Sequence, residues 1–205
     1  MTERAAPLSK ARAEQNKRRR FETIAGASFL AGAAEFLLLT TIAESLYPAY
    51  NVRDQALSEL GVGHVALLWN ASLFLLGVAV IFGGYFAHRS MASRLSATLS
   101  FILGIGFVGA AIFPLNSPTG IHGFFGLLAF ASGGLFALTS YRVVGSKGMK
   151  LFSILFGVYS FISLVLLGFD VNLGLGVGGM ERMIDLPLVI WLSAFGGYLL
   201  HTRNE

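Results

Sequence analysis

The sequence predicts an all-α, polytopic integral membrane protein: a bundle of six transmembrane helices with both termini on the cytoplasmic side. Three observations predict it. Hydrophobic residues make up 55% of the 205 and charged residues only 13%, where a soluble domain carries roughly a quarter charged residues. The apolar residues fall into six stretches, each long enough to supply the about 20 helical residues that a hydrocarbon core requires. Lys and Arg divide thirteen to two between the two sets of connecting segments, which fixes an orientation by the positive-inside rule.

The stretches lie near residues 21–46, 65–87, 94–113, 121–141, 150–169 and 182–200. Their apolar runs are continuous rather than alternating, which argues for helices over strands. The first follows a basic segment, 1–20, that holds seven of the fifteen Lys and Arg, among them Lys10, Arg12 and Lys17 to Arg20. Because this segment runs straight into an apolar helix, it reads as a cytoplasmic tail near acidic headgroups rather than as a nucleic-acid site. No short apolar core followed by a small-residue cleavage site is present, so it does not read as a removable signal peptide. The domain plan is therefore a tail at 1–20, a six-helix domain at 21–200 and a C-terminal cytoplasmic tail at 201–205.

Between helices one and two lies a long loop, 47–64, rich in tyrosine and carboxylate. The second outer loop, 114–120, is a tight Pro/Asn/Ser turn. The third, 170–181, is glycine-rich and suited to close approach of other loops. The inner connections carry Arg89 and Arg94, then Arg142, Lys147 and Lys150. In helix three, Gly104, Gly106 and Gly109 match a dinucleotide fingerprint by letters alone. With no preceding strand they read, together with Gly120, Gly123 and Gly126 of helix four, as close-packing helix faces. The chain has no cysteine, which excludes disulfides, thiolate metal sites, iron–sulfur clusters and cysteine nucleophiles. It has no Gly-x-Ser-x-Gly elbow, Walker motif or His-Glu-x-x-His.

Polar residues concentrate on the outer side. Glu44-Ser-Leu-Tyr47-Pro48-Ala-Tyr50 ends helix one, and Ser58-Glu59-Leu60-Gly61-Val-Gly63 and Asn70 follow. Phe113-Pro114, His122-Gly123 and Gly178-Gly179-Met180-Glu181-Arg182 complete the set. On these pieces, from Ile24 to Leu200, the chain resembles the domain-of-unknown-function 998 family of small prokaryotic membrane proteins, most closely its archaeal members. It departs from that pattern at Leu115-Asn116, where an acidic residue often follows the Phe-Pro pair, and at Asp185, where an apolar or aromatic residue is usual. The resemblance implies the six-helix fold and topology and assigns no activity.

The pocket expected at the outer mouth draws on Glu44, Tyr47, Tyr50, Glu59, Asn70, His122, Glu181 and Arg182, a set suited to a polar or anionic headgroup. Glu181 and Asp185 are four apart on one helical face, and Arg182 stands three from Asp185, within pairing reach. Acidic residues at a helix start also satisfy its dipole. His64 and His122 are weak metal candidates, because catalytic zinc takes three protein ligands and no two histidines here sit at helical ligand spacing. Asn70 reads as an interhelical hydrogen-bond donor. Glu35 lies nine residues before Glu44, about 13 Å deeper along the helix, near mid-membrane. It is either a hydrogen-bonded neutral acid or a relay group. Three functions remain open: a lipid- or headgroup-binding membrane protein, a metal-assisted hydrolase or lipid-modifying enzyme at the outer leaflet of the cell membrane, and a small transporter or channel working through Glu35. The expected partners are membrane lipids and not nucleic acid; no cofactor is assigned.

Overall fold

Six long helices form in the computed structural model, which describes residues 5–91 and 93–201. They are α1 (Ala5–Leu46), α2 (Ala66–Met91), α3 (Arg94–Ile112), α4 (Ile121–Ser140), α5 (Lys147–Gly168) and α6 (Gly176–His201). All six are long and apolar enough to cross a bilayer, and no strand occurs among the described residues. Each helix packs on its neighbour in sequence, and α6 returns to α1 and closes the ring. Apart from the long loop one, short connections between antiparallel neighbours produce this up-and-down order. Residues 1–4 and 202–205 of the expected tails lie outside the described residues.

Two boundaries differ from the sequence reading. The helix α1 starts at Ala5, so the basic segment is helical from there. At 1.5 Å per residue its 42 residues span about 63 Å, roughly twice a hydrocarbon core. The extra length is therefore a projecting basic rod. It is anchored where Arg18 donates from Nε and Nη2 to the Ser90 carbonyl at 3.0 and 2.8 Å, satisfying an acceptor at the end of α2.

The second difference concerns α6, which begins at Gly176 and not at Arg182. The cause is loop one. The Arg53 carbonyl accepts from the Gly178 and Gly179 amides at 3.0 and 3.3 Å, so two of the helix's orphan first-turn donors are met by another segment's backbone. Gly176 itself has a φ of +71°, a conformation that favours glycine. Glycine richness here starts a helix against a loop and does not prolong the loop.

Helix crossings rest on glycine pairs. Gly26 and Gly196 bring α1 against α6, Gly77 and Gly104 bring α2 against α3, and Gly134 and Gly157 bring α4 against α5. A Cβ on the first two of each pair's leading members would lie 2.7 Å and 2.8 Å from the partner's carbonyl oxygen, and one on Gly157 2.9 Å from that of Gly134. Such backbone approach gives membrane helices their packing energy where lipid supplies no hydrophobic drive. Phe29, Phe136, Trp191 and Phe195 form a fully buried aromatic cluster between α1, α4 and α6. Trp191 also donates to Ser153 Oγ of α5 at 3.0 Å. This plug fills the space between α1, α4 and α6.

Candidate functional site

Loop one is held onto the bundle by a single guanidinium. Arg182 donates from Nε and Nη2 to Glu44 Oε1 at 3.1 and 2.6 Å, and from Nη2 to the Tyr50 hydroxyl at 2.7 Å. Its Nη1 donates to the carbonyls of Gly178, Val52 and Gln55 at 2.9, 3.0 and 3.3 Å. A guanidinium has five N–H donors, and all are engaged. The expected pairing with Asp185 is therefore replaced by one with Glu44, because the end of α1, loop one and the first turn of α6 converge their acceptors on that spot. An anionic headgroup finds no free donor on Arg182.

The remaining loop-one residues complete the clamp. The Tyr50 hydroxyl donates to the Ala56 carbonyl at 2.9 Å. Burial raises its pKa above the ordinary 10.0, and the hydrogen bond from Arg182 works against that rise. Tyr47 packs its ring on those of Tyr50 and His64, with centroids 5.5 and 5.9 Å apart. Glu59 accepts from the Ala56 amide at 2.9 Å and from Gln55 Nε2 at 3.2 Å, capping its own 3-10 turn over Leu57–Gly61. Asn70 donates to the Gly61 carbonyl at 2.8 Å, so its bond runs to the loop and not to another helix. Of the eight residues expected at a pocket, Glu44, Tyr47, Tyr50, Glu59, Asn70 and Arg182 thus build the roof.

His122 and Glu181 do reach a cavity beneath that roof. It has a volume of about 250 Å³ and runs between α4 and α5 toward α2 and α3. Leu73, Phe107, Phe130 and Leu164 give it apolar walls, and its polar end is made by Ser58, His122, Glu181 and Asp185. The His122 Nδ1 lies 2.8 Å from the Phe113 carbonyl. A carbonyl can only accept, so Nδ1 carries the proton in the neutral ring and Nε2 is left as the acceptor. Glu181 Oε2 takes long bonds from the Ser58 amide and hydroxyl, 3.3 and 3.5 Å. Asp185 is 5% exposed, and its Oδ1 is buried with no hydrogen-bond partner. Trp69, 3% exposed, also lines the cavity, and its indole N–H has no partner either.

The helix-four glycines correct the packing expectation. A Cβ on Gly120, Gly123 or Gly126 would meet nothing within 4 Å. Gly123 and Gly126 line the cavity. The helices α4 and α5 touch at Gly134 and Gly157, and nearer the loop-one end the cavity lies between them, lined by Gly123, Gly126, Leu164 and Leu167. The helix-three glycines follow expectation: Gly104 meets Gly77 and Ile81 of α2, and Gly106 and Gly109 meet Ala129 and Phe125 of α4.

The other candidates lie apart. His64 is exposed against Tyr47, while His122 is buried at the cavity. Among the described residues no three of His, Cys, Asp and Glu are grouped to hold a metal ion. Glu35 faces Ser72 of α2, and neither of its oxygens nor the Ser72 hydroxyl makes a close hydrogen bond. Glu35 is not part of the cavity wall.

Fold and site together define a six-helix, multi-pass integral membrane protein with a polar-roofed end. The family described as "Protein of unknown function (DUF998)" matches residues 30–198, and the chain belongs to that family. No curated protein and no solved structure matches the chain.

Proposed function

We propose that this protein binds a lipid or lipid-like amphiphile in the cavity between α4 and α5. The carrying observation is the cavity's two-ended lining, apolar along its walls and acidic at its head, combined with open space beside Gly123 and Gly126, which we take as its side gap. An apolar chain entering from the bilayer passes that gap without crossing the roof, and its head comes to rest beside His122, Glu181 and Asp185. A cavity near 250 Å³ is a little smaller than most small-ligand sites, which suits one chain rather than a whole two-chain lipid. In this reading both termini are cytoplasmic and the roofed end faces outward from the cell membrane, as the thirteen-to-two division of Lys and Arg supports.

The test is quenching of Trp69 by an amphiphile with an uncharged head and a brominated chain. Trp69 is buried, so bulk lipid does not touch it, and quenching requires entry into the cavity. Quenching is expected in the native chain and is lost in W69F, where only Trp191 remains, and in G126L, which fills the gap. Equal quenching in all three would overturn the reading.

One observation favours a second reading, a lipid-modifying enzyme. The cavity joins a histidine of fixed tautomer to two carboxyl groups, an arrangement that can hold and move a proton. Turnover of membrane lipids by the purified protein, abolished in H122A, is its signature. The transporter reading gains less support, because all six spans are unbroken helices and Glu35 stands outside the cavity wall.

A further inference from the structure

We propose that the head of the bound amphiphile is a protonated primary amine. This rests on the cavity's being an amphiphile site and concerns only what its polar end selects.

The polar end is dominated by acceptors. Glu181 and Asp185 share a face of α6 one turn apart, and His122 Nε2 is an acceptor because Nδ1 is committed to the Phe113 carbonyl. Asp185 Oδ1 is buried and unpartnered within the protein. No Lys or Arg lines the cavity, and the nearest guanidinium, Arg182, spends all five donors on the roof. Ser58 is already directed to Glu181. The unpartnered Trp69 indole N–H is a single neutral donor and balances no charge.

A phosphate or carboxylate head would add negative charge beside two acidic groups in a partly dry site, where Arg182 has no donor left to meet it. Burying a charge without a partner is strongly unfavourable. An ammonium group reverses each term. It offers three N–H donors to the carboxyl oxygens and the imidazole Nε2, and it brings positive charge to a head lined by two acidic groups. A hydroxyl head satisfies one acceptor at a time and brings no charge, so it ranks between the two. The chain of such an amphiphile lies along Leu73, Phe107 and Leu164 and leaves past Gly126.

Three amphiphiles with the same brominated chain, carrying amine, alcohol and phosphate heads, decide the matter through Trp69 quenching in uncharged micelles. The amine is expected to half-saturate at a concentration about tenfold lower than the alcohol, with the phosphate weaker still. D185N, which breaks no hydrogen bond within the protein at Oδ1, is expected to bring the amine to within about threefold of the alcohol and to keep the unfolding temperature. A phosphate head binding as tightly as the amine overturns the proposal. So does an amine no tighter than the alcohol, or an amine preference that survives in D185N. Failure of all three to quench Trp69 is a different outcome: it removes the amphiphile site itself.

Discussion

Arg182 and Glu44 tie the sixth helix to the first by a charged hydrogen bond of 2.6 Å, with side chains only 10% and 24% exposed. The pair closes the helix ring at its roofed end and draws the Val52 and Gln55 carbonyls into the same cluster. Its two members are not equivalent. Removing the guanidinium strands one carboxylate, one phenol and three carbonyls, whereas removing the carboxylate's charge leaves the other acceptors in place. R182A is therefore expected to lower stability by about 3 kcal/mol, the low end for a broken buried pair because Glu44 keeps some water. E44Q, which retains an acceptor oxygen, should cost about half that. Unfolding in detergent followed by circular dichroism measures both, and equal losses would contradict the five-donor clamp.

Tyr50 sets a pH limit on the same roof. Its phenol is raised above 10.0 by burial in the folded protein, so the folded state holds that proton more tightly than the unfolded chain does. The contribution is complete below pH 10 and is lost as pH rises through the folded pKa. Absorbance titration should find one tyrosine ionising later than the exposed ones, and Y50F should abolish it. Y50F should also flatten the alkaline fall in stability, at the expense of the bond from Arg182.

Glycines of similar appearance should respond in opposite ways. A Cβ at Gly178 would run into the Val52 and Gln55 carbonyl oxygens, which are backbone and cannot swing aside. G178A is expected to unseat loop one, lower the unfolding temperature and expose loop one to protease. At Gly126 the same Cβ enters open space, so G126A should keep or slightly raise stability, by up to about 1 kcal/mol from helix propensity. If G126A destabilises as much as G178A, the side gap between α4 and α5 does not exist.

These contrasts show what the sequence could and could not express. Six spans were legible because apolar continuity is a local property, and apart from the starts of α1 and α6 the helix ends fall close to expectation. Glu44 and Arg182 both stood out as charges near span ends, but their partnership depends on α6 meeting α1, which no local spacing encodes. Gly106 and Gly126 carry the same small-residue signal, yet one faces Ala129 and the other a gap; only the direction of the helix neighbours separates them. Asp185 was visible as a departure from the family pattern and was read as a partner for Arg182. Its i, i+4 spacing from Glu181 was the available signal that both carboxyls enter one space. The start of α6 was missed because its first-turn amides are capped by Arg53, which is 123 residues earlier than Gly176 in number and adjacent only in space.

Orientation is checked independently of the cavity. Reporters that are active only outside the cytoplasm should be silent when fused after His201 and active when inserted at Asn116, between α3 and α4. The opposite pattern would place the basic rod of α1 and its arginines outside, against the positive-inside rule.

Glu35 supplies the last prediction. Its two carboxyl oxygens lie buried in a membrane-spanning helix with no close hydrogen bond, and the Ser72 hydroxyl of α2 is the polar group that faces them. A polar group held in this way costs stability, so its removal should help: E35L is expected to stabilise the bundle by about 1–3 kcal/mol, and E35Q by less because an amide remains buried. The cavity beneath the roof does not include Glu35, so Trp69 quenching should be unaffected in both variants. Destabilisation by E35L would show that Glu35 has a structural bond. A gain in stability accompanied by loss of a proton-coupled flux in vesicles would instead mark the residue as one retained for transport, since a group that weakens the fold needs another reason to be there.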